Sequence, residues 1–142
     1  MRADDVACYY SEKTDSQSTT STSYIDVTIL DPVANGASGE TWVFVCSALV
    51  THPGSLFNIN TRLNWQIQTG ASTYVDLETH INHCAPMSLG TASDRGMPST
   101  RTYKATLAMS APKIRLRMSM SSAGCSTGGQ VSDAHCFGFK KV

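Results

Sequence analysis

Charged side chains are scarce in this sequence. They make up 15% of its 142 residues, against about 25% in an average soluble domain, and 11 Lys and Arg balance 11 Asp and Glu. A zero net charge gives no indication of long-range attraction to nucleic acid or to an anionic membrane. We therefore predict that neither is a partner. The abundant Ser and Thr side chains keep so weakly charged a surface soluble, or an assembly buries part of it; the composition is compatible with both.

We also expect no secretion signal, no membrane-spanning segment and no disulfide framework. Its first residues, Met-Arg-Ala-Asp-Asp-Val-Ala-Cys, carry two carboxylates where a signal peptide has a basic and then an apolar segment, and no stretch approaches about 18 consecutive apolar residues. The five cysteines form an odd set without close pairs: Cys8, Cys46, Cys84, Cys125 and Cys136. This pattern predicts synthesis in a cytoplasm and mostly free thiols.

Few residues form a pattern typical of a metal site or a catalytic site. Imidazole and thiolate are favoured zinc ligands, so the weak metal candidates are His80, His83, Cys84 and His135. A structural zinc site would show two well-spaced ligand pairs, whereas His135 and Cys136 are adjacent and would point to opposite faces of a strand. No serine has the strand-turn-helix context of a nucleophile elbow. We expect no catalytic residue, no metal and no cofactor.

The clearest pattern present is a strict alternation from Phe57 to Gln68. Apolar side chains occupy the odd positions Phe57, Ile59, Leu63, Trp65 and Ile67. A period of two places them on one side only if the backbone is extended. The segment is therefore predicted to be a β-strand with one apolar face buried in the core. The other face carries amides and one guanidinium, which form directional hydrogen bonds with little net charge. We predict that this face meets other protein subunits through Asn58, Asn60, Arg62, Asn64, Gln66 and Gln68.

Alternating or continuous apolar runs predict seven further strands, at 6–10, 24–30, 41–50, 73–79, 102–110, 113–121 and 134–141. In the second of these, Ile25, Val27 and Ile29 are expected to share one face, opposite Asp26 and Thr28. The run 41–50 is apolar at nearly every position, which favours a central strand. Residues 57–68 and 73–79 are expected to form a hairpin. Residues 11–23 are predicted to be a polar arm or link, and residues 80–100 a long loop.

These strands predict an all-β fold. The chain is long enough for one domain with a real core and too short for two. We predict a single domain over residues 1–142, a β-sandwich or jelly roll of about eight antiparallel strands with little or no helix.

A basic stripe and several aromatic rings suggest binding surfaces. Lys113, Arg115 and Arg117 share one strand face, and we expect them to pair with Asp76 and Glu78 within the sheet or across a subunit contact. The amide side chains of residues 58–68, which we call the amide row, could alternatively hydrogen bond to the hydroxyl groups of a sugar, with aromatic side chains stacking on the sugar ring. The rings in question are Trp42, Trp65, Tyr74 and Tyr103.

The segment Ser18–Val27, in which a Thr/Ser run leads into Tyr-Ile-Asp-Val, resembles the opening of small virion proteins of tailed bacteriophages. The strand from Gly39 to Val50, the long alternating strand and a final Asp-Ala-x-x-Phe strand follow in a similar order. The resemblance implies a β-sandwich or jelly-roll building block, commonly trimeric, that decorates capsid shells or forms part of tails and fibres. It implies no catalytic residue.

Residues and resemblance together predict a bacteriophage virion structural protein. The first hypothesis is a capsid decoration, or cement, protein that binds and stabilises the major capsid shell. Its partners would be the major capsid protein or other virion subunits, and its own copies would form a homotrimer. It would be made in the host cytoplasm and reside in the virion. The second hypothesis is a carbohydrate- or host-receptor-binding module of a tail or fibre.

Overall fold

The computed structural model describes residues 7–51, 61–77, 83–84, 97–120 and 129–142. Within these ranges the chain forms ten strands and no helix, so no described helix is available to cross a membrane. The strands are β1 (Cys8–Lys13), β2 (Gln17–Thr19), β3 (Ile25–Ile29), β4 (Thr41–Thr51), β5 (Thr61–Gln68), β6 (Tyr74–Asp76), β7 (His83–Cys84), β8 (Met97–Thr106), β9 (Ile114–Met120) and β10 (Gly129–Lys140).

The strands form two antiparallel sheets. Sheet A has the order β1-β10-β4-β8, with β2 also paired to β10, and sheet B has the order β3-β9-β5-β6, with β7 also paired to β5. The predicted all-β sandwich is therefore confirmed. β4 is central, as its apolar run predicts, and β5 and β6 form the expected hairpin.

One apolar core lies between the sheets. The inward residues of β9, Ile114, Leu116, Met118 and Met120, are fully buried, as are Trp42 and Phe44 of β4. On β5, Leu63, Trp65 and Ile67 point into this core, as the alternation predicts. Phe57 and Ile59 lie outside the described residues. Each sheet thus presents one face to the core and keeps one face for other contacts.

β3 departs from the alternation predicted for it. Asp26 pairs with Arg117 and Thr28 with Leu116, so the register shifts between Asp26 and Thr28 and Val27 is the extra residue of a bulge. After a bulge, side chains exchange faces. Thr28 is consequently buried and Ile29 is 48% exposed, so the prediction that Ile29 shares one face with Ile25 is wrong.

Two parts of the polar stretch 11–23 belong to sheet A. Ser11 to Lys13 complete β1 and pair with β10, and Gln17 to Thr19 form β2 on the same strand. The side chain of Ser11 is buried, and its hydroxyl accepts a hydrogen bond of 3.0 Å from the backbone N–H of Asp31. The backbone of these segments is therefore held by the sheet, and their action as an arm or link between subunits stays a prediction.

The predicted loop at 80–100 lies mostly outside the described residues. Where the chain is described, His83 and Cys84 pair with Leu63 and Arg62 of β5, and β8 already begins at Met97. The last four residues of the predicted loop are therefore strand. Gly96 and Pro98 made this segment look like a loop in the sequence, and its apolar residues have no regular period. The start of β8 therefore could not be predicted.

A carboxylate joins the start of β4 to the end of β10. Glu40 Oε1 lies 2.6 Å from the Lys140 ammonium. Glu40 Oε2 accepts hydrogen bonds from the Trp42 indole N–H at 3.1 Å and from the Ala37 backbone N–H at 2.9 Å. These three donors lower the pKa of Glu40 to about 2, and the Lys140 ammonium has the largest effect.

Acid should weaken the fold through Glu40. Because the folded state lowers the pKa of this carboxyl from 4.5 to about 2, its contribution to stability is complete above pH 4.5 and is lost as the pH falls towards 2. Urea titrations between pH 2 and 6 should show that Glu40→Gln flattens this part of the pH dependence. Lys140→Met should flatten it partly, because the other two donors remain. An unchanged pH profile for Glu40→Gln would contradict the assignment.

Candidate protein-binding surfaces

The outer face of sheet B carries an internal polar network. Asn64 and Gln66 of β5 are both 7% exposed, and their amide groups donate to the same Asp76 oxygen at 2.9 and 2.7 Å. Asn64 and Gln66 lie on the face of β5 that is opposite its core residues, as the alternation predicts. Their donors are satisfied by a neighbouring strand of the same chain.

Arg115 extends this network across the sheet. Its Nε donates to Gln66 Oε1 at 2.8 Å, and one terminal nitrogen lies 3.3 Å from Asp26 Oδ2. The guanidinium also lies over the Tyr74 ring, 4.0 Å from its centroid. A planar guanidinium can hydrogen bond at its edge and stack with its face at the same time, which a lysine cannot do.

Arg117 completes the network at the β3 edge. Its Nε lies 2.9 Å from Asp26 Oδ1 as an ion pair, and a terminal nitrogen donates to the Tyr24 backbone carbonyl at 2.9 Å. The carboxylate that meets the basic stripe is therefore Asp26 of β3. The expected partner Asp76 lies on the other side of β5 and accepts the amides instead, and Glu78 lies outside the described residues.

The remaining residues of the predicted interface have separate environments. Gln68 accepts the Lys113 backbone N–H at 3.1 Å and donates to the Ala71 carbonyl at 3.2 Å. Arg62 is half-buried, and its Nε finds no hydrogen-bond partner among the described residues. Lys113 is exposed, while Asn58 and Asn60 lie outside the described residues. A role of this row in assembly stays a prediction.

The network should contribute measurably to stability. Arg115→Ala removes the Gln66 hydrogen bond, the Asp26 ion pair and the Tyr74 contact together, and we expect the free energy of unfolding to fall by about 1–2 kcal/mol. The matched control is Lys113→Ala on the same face, an exposed site where a change within about 0.5 kcal/mol is expected. Chemical denaturation measures both. Equal small losses would mean that the network adds nothing to the fold.

Sheet A presents a different outer face, rich in apolar side chains. Tyr10 of β1 pairs with Phe137 of β10, which pairs with Val45 of β4, and Phe139 pairs with Val43 in the next row. Tyr10 is 62% exposed, Phe137 44% and Phe139 40%. Because register partners on adjacent strands stand side by side, these residues form one continuous surface. We call it the aromatic face: Tyr10, Val43, Val45, Phe137 and Phe139.

Polar and charged groups border the aromatic face. Glu12 and His135 lie in the row beyond Tyr10 and Phe137, and the Tyr10 hydroxyl donates to Glu12 at 2.6 Å. Thr102 and Lys104 of β8 lie beside Val45 and Val43. An apolar centre with a polar border is the usual anatomy of a protein–protein interface, and aromatic residues are enriched in such centres.

The sequence contained a signal for this face. Phe137 and Phe139 alternate with Cys136 and Gly138, which predicts that they share one side of β10, but alternation does not say which side meets the core. The structure puts Cys136 and Gly138 inside and both phenylalanines outside. Two large rings outside and a glycine inside is the reverse of the ordinary arrangement, so sequence reasoning did not select them as a binding surface.

The rings considered for sugar stacking do not form an exposed platform. Trp42, Trp65 and Tyr103 are buried, and Tyr74 lies beneath the Arg115 guanidinium. The second hypothesis, a carbohydrate-binding module, therefore has no support from these four residues.

The metal candidates are not brought together in the part of the chain that is described. His80 lies outside it, and the backbone of His83 and Cys84 pairs with β5 in sheet B. His135 lies on sheet A, where its Nδ1 is 3.1 Å from the Asp133 carbonyl. Among the described residues, no three His, Cys, Asp or Glu side chains converge on a metal position.

A serine motif also falls outside the described residues. Residues 124–128 read Gly-Cys-Ser-Thr-Gly, which is the spacing of a nucleophile elbow. Strand β10 begins directly after it, at Gly129. The elbow requires a helix at that point, so the spacing alone does not support catalysis.

Comparison with known proteins gives a likeness in fold. No protein-family profile matches the sequence, and no curated protein does. Among solved structures, a chain of the infectious bursal disease virus (IBDV) particle aligns with a TM-score of 0.56 and 11% identity, over 94% of this chain and 31% of its own length. The VP2 subviral particle of the same virus aligns with a TM-score of 0.54 and 12% identity, over 96% and 33%.

A chain in the structure of the Gx strain of the same virus aligns with a TM-score of 0.53 and 12% identity, again over 96% of this chain and 33% of its own length. This chain therefore spans about a third of the length of the chains that it matches. At such low identity the likeness is one of fold. The protein has a β-sandwich similar to the fold found in part of the chains of an icosahedral viral particle.

Proposed function

We propose that this chain is a structural protein of a bacteriophage virion, a capsid decoration protein that binds the major capsid protein through the aromatic face of sheet A. The observation that carries the proposal is the exposure of Tyr10, Phe137 and Phe139 side by side on a regular sheet. Rigid aromatic side chains bury large areas at little cost in conformational entropy, and they are frequent hot spots of binding.

Two further observations support a structural role. The fold is similar to part of a viral particle chain. The polar groups on the outer face of sheet B are largely engaged with one another, through Asp26, Asp76, Arg115 and their amide partners. A face whose hydrogen bonds are made internally is suited to rigidity, which lowers the entropic cost of binding through the other sheet.

We further propose that the protein acts as a homotrimer on the capsid, with Arg62, Gln68 and Lys113 in polar contacts between copies. Closed symmetry repeats each contact, so individually weak attachments combine into a strong one. In this arrangement the aromatic face points to the shell and the polar row to neighbouring copies.

Co-sedimentation with capsids that lack this protein tests the proposal. Wild-type protein should bind the capsids saturably, and the double variant Phe137→Thr/Phe139→Thr should bind at least about tenfold more weakly, since loss of a hot spot costs about 2 kcal/mol or more. Threonine keeps the preference for an extended backbone, and both side chains lie on the surface.

Matched controls lie on the other sheet. Ile29 and Val75 are 48% and 46% exposed, so Ile29→Thr and Val75→Thr remove comparable exposed apolar groups from sheet B. Both should leave capsid binding unchanged. The proposal would be overturned if wild-type protein did not bind such capsids, or if the phenylalanine and control variants bound equally well.

A further inference from the structure

Two of the five cysteines lie directly opposite each other in the core. Cys46 of β4 and Cys136 of β10 are register partners, both are fully buried, and their sulfur atoms are in contact at 2.6 Å. Opposed residues of an antiparallel pair have Cα atoms about 4.5–5.5 Å apart, inside the range of about 4.4–6.8 Å that a disulfide spans. The backbone already holds the two residues where a cross-link requires them.

We propose that Cys46 and Cys136 are an oxidative modification site, at which a cross-strand disulfide joins the two central strands of sheet A. The inference is independent of the proposed function, because it uses only the register and burial of the two thiols. It is compatible with the expectation of mostly free thiols, since three of the five cysteines lie outside the proposed pair. Spacing along the chain did not indicate this pair. The two residues are 90 positions apart in sequence and adjacent in space.

The oxidant is a small disulfide such as glutathione disulfide. The thiolate of one cysteine attacks a sulfur of glutathione disulfide, forms a mixed disulfide and releases one glutathione thiolate. The second protein thiolate attacks the protein sulfur of that mixed disulfide and releases the second glutathione. Two protein thiols and one glutathione disulfide thus become one protein disulfide and two glutathione molecules, which carry away both electrons and both protons.

Burial decides when this exchange takes place. In the folded protein neither sulfur is exposed, and burial together with the adjacent Cys136 raises the pKa of the Cys46 thiol. The attacking thiolate is therefore scarce and inaccessible in the native state. Oxidation should be fast while β4 and β10 come together during folding, and at least about tenfold slower in the native protein.

Oxidative refolding of the full chain tests the site. The variant Cys8→Ser/Cys84→Ser/Cys125→Ser retains only the proposed pair; it is unfolded in guanidinium chloride and refolded with glutathione disulfide. The intact mass should fall by about 2 Da, with neither thiol open to alkylation. Because the cross-link closes a long loop, Tm should rise by roughly 10 °C and return on addition of dithiothreitol.

Cys136→Ala in the same background is the control, and its Tm should not respond to dithiothreitol. The unmodified five-cysteine chain provides a second measurement that needs no variant to fold: peptide mapping after oxidative refolding should find Cys46 linked to Cys136. The proposal is overturned if both thiols remain alkylatable after refolding with glutathione disulfide, if mapping links either to a different cysteine, or if the cross-link lowers Tm.

Discussion

Replacing Trp65 with alanine is expected to lower the free energy of unfolding by about 3–5 kcal/mol. Trp65 is 2% exposed on the inner face of β5 and packs in the core that the two sheets share. Truncation removes most of the buried side chain and leaves a cavity that fixed strands cannot close. Since small domains are stable by only about 5–15 kcal/mol, this loss is a large share of the total, and the variant should unfold at a clearly lower temperature and urea concentration than wild type.

Trp65→Phe separates packing from polarity at the same site. The indole N–H of Trp65 is buried without a hydrogen-bond partner among the described residues. Phenylalanine removes this unsatisfied donor along with some volume, so the two effects oppose each other and the net cost should be about 1 kcal/mol or less. Thermal and urea denaturation of both variants measure the difference. A Trp65→Ala protein as stable as wild type would mean that β5 presents its other face to the core.

The sequence predicted β5 well because an alternating strand encodes both of its faces. Leu63, Trp65 and Ile67 had to lie together, and one side of the sheet had to be polar. The same reasoning failed at β3, where one extra residue at Val27 reverses the faces and exposes Ile29. A bulge is a property of the strand pair, so the alternation within one strand cannot reveal it.

The binding surfaces were less predictable than the core for a similar reason. That Asn64 and Gln66 are polar is visible in the sequence, but that Asp76 satisfies both depends on the pairing of β5 with β6. The aromatic face depends on β1 and β10 being neighbours, although they are the first and last of the described strands. The contact between Cys46 and Cys136 also depends on a long-range register. Such relations follow from topology, which strand patterns alone leave open.

Substitution of Gly138 in β10 is expected to have the second large effect on stability, because this glycine lies on the core face with no room for a side chain. It lies between the outward Phe137 and Phe139, opposite Phe44 of β4. A Cβ atom added at Gly138 would lie 2.6 and 2.8 Å from two carbons of the Phe44 ring and 3.3 Å from the Val43 carbonyl oxygen. The absence of a side chain at this position is thus what allows the Phe44 ring to lie across β10.

The Phe44 ring has little freedom to move away. It stacks on Trp42 with ring centroids 6.0 Å apart and meets the edge of Tyr9 at 6.3 Å. Phe44 and Trp42 are fully buried. A methyl group at residue 138 therefore has to displace a packed aromatic cluster, and overpacking of this kind costs about 1–3 kcal/mol. We expect Gly138→Ala to lie at the upper end of that range and Gly138→Val to exceed it.

Gly70→Ala is the matched control, since a Cβ there would meet only Thr73, at ordinary contact distances of 3.6 and 3.7 Å. Its free energy of unfolding should change by about 0.5 kcal/mol or less. The double variant Phe44→Leu/Gly138→Ala tests the cause, because a smaller side chain at position 44 makes room for the new methyl group. Its loss of stability should be smaller than the sum of the two single losses by about 1 kcal/mol or more. Additive losses in urea denaturation would place the cost of Gly138→Ala in the backbone of β10 and not in the Phe44 contact.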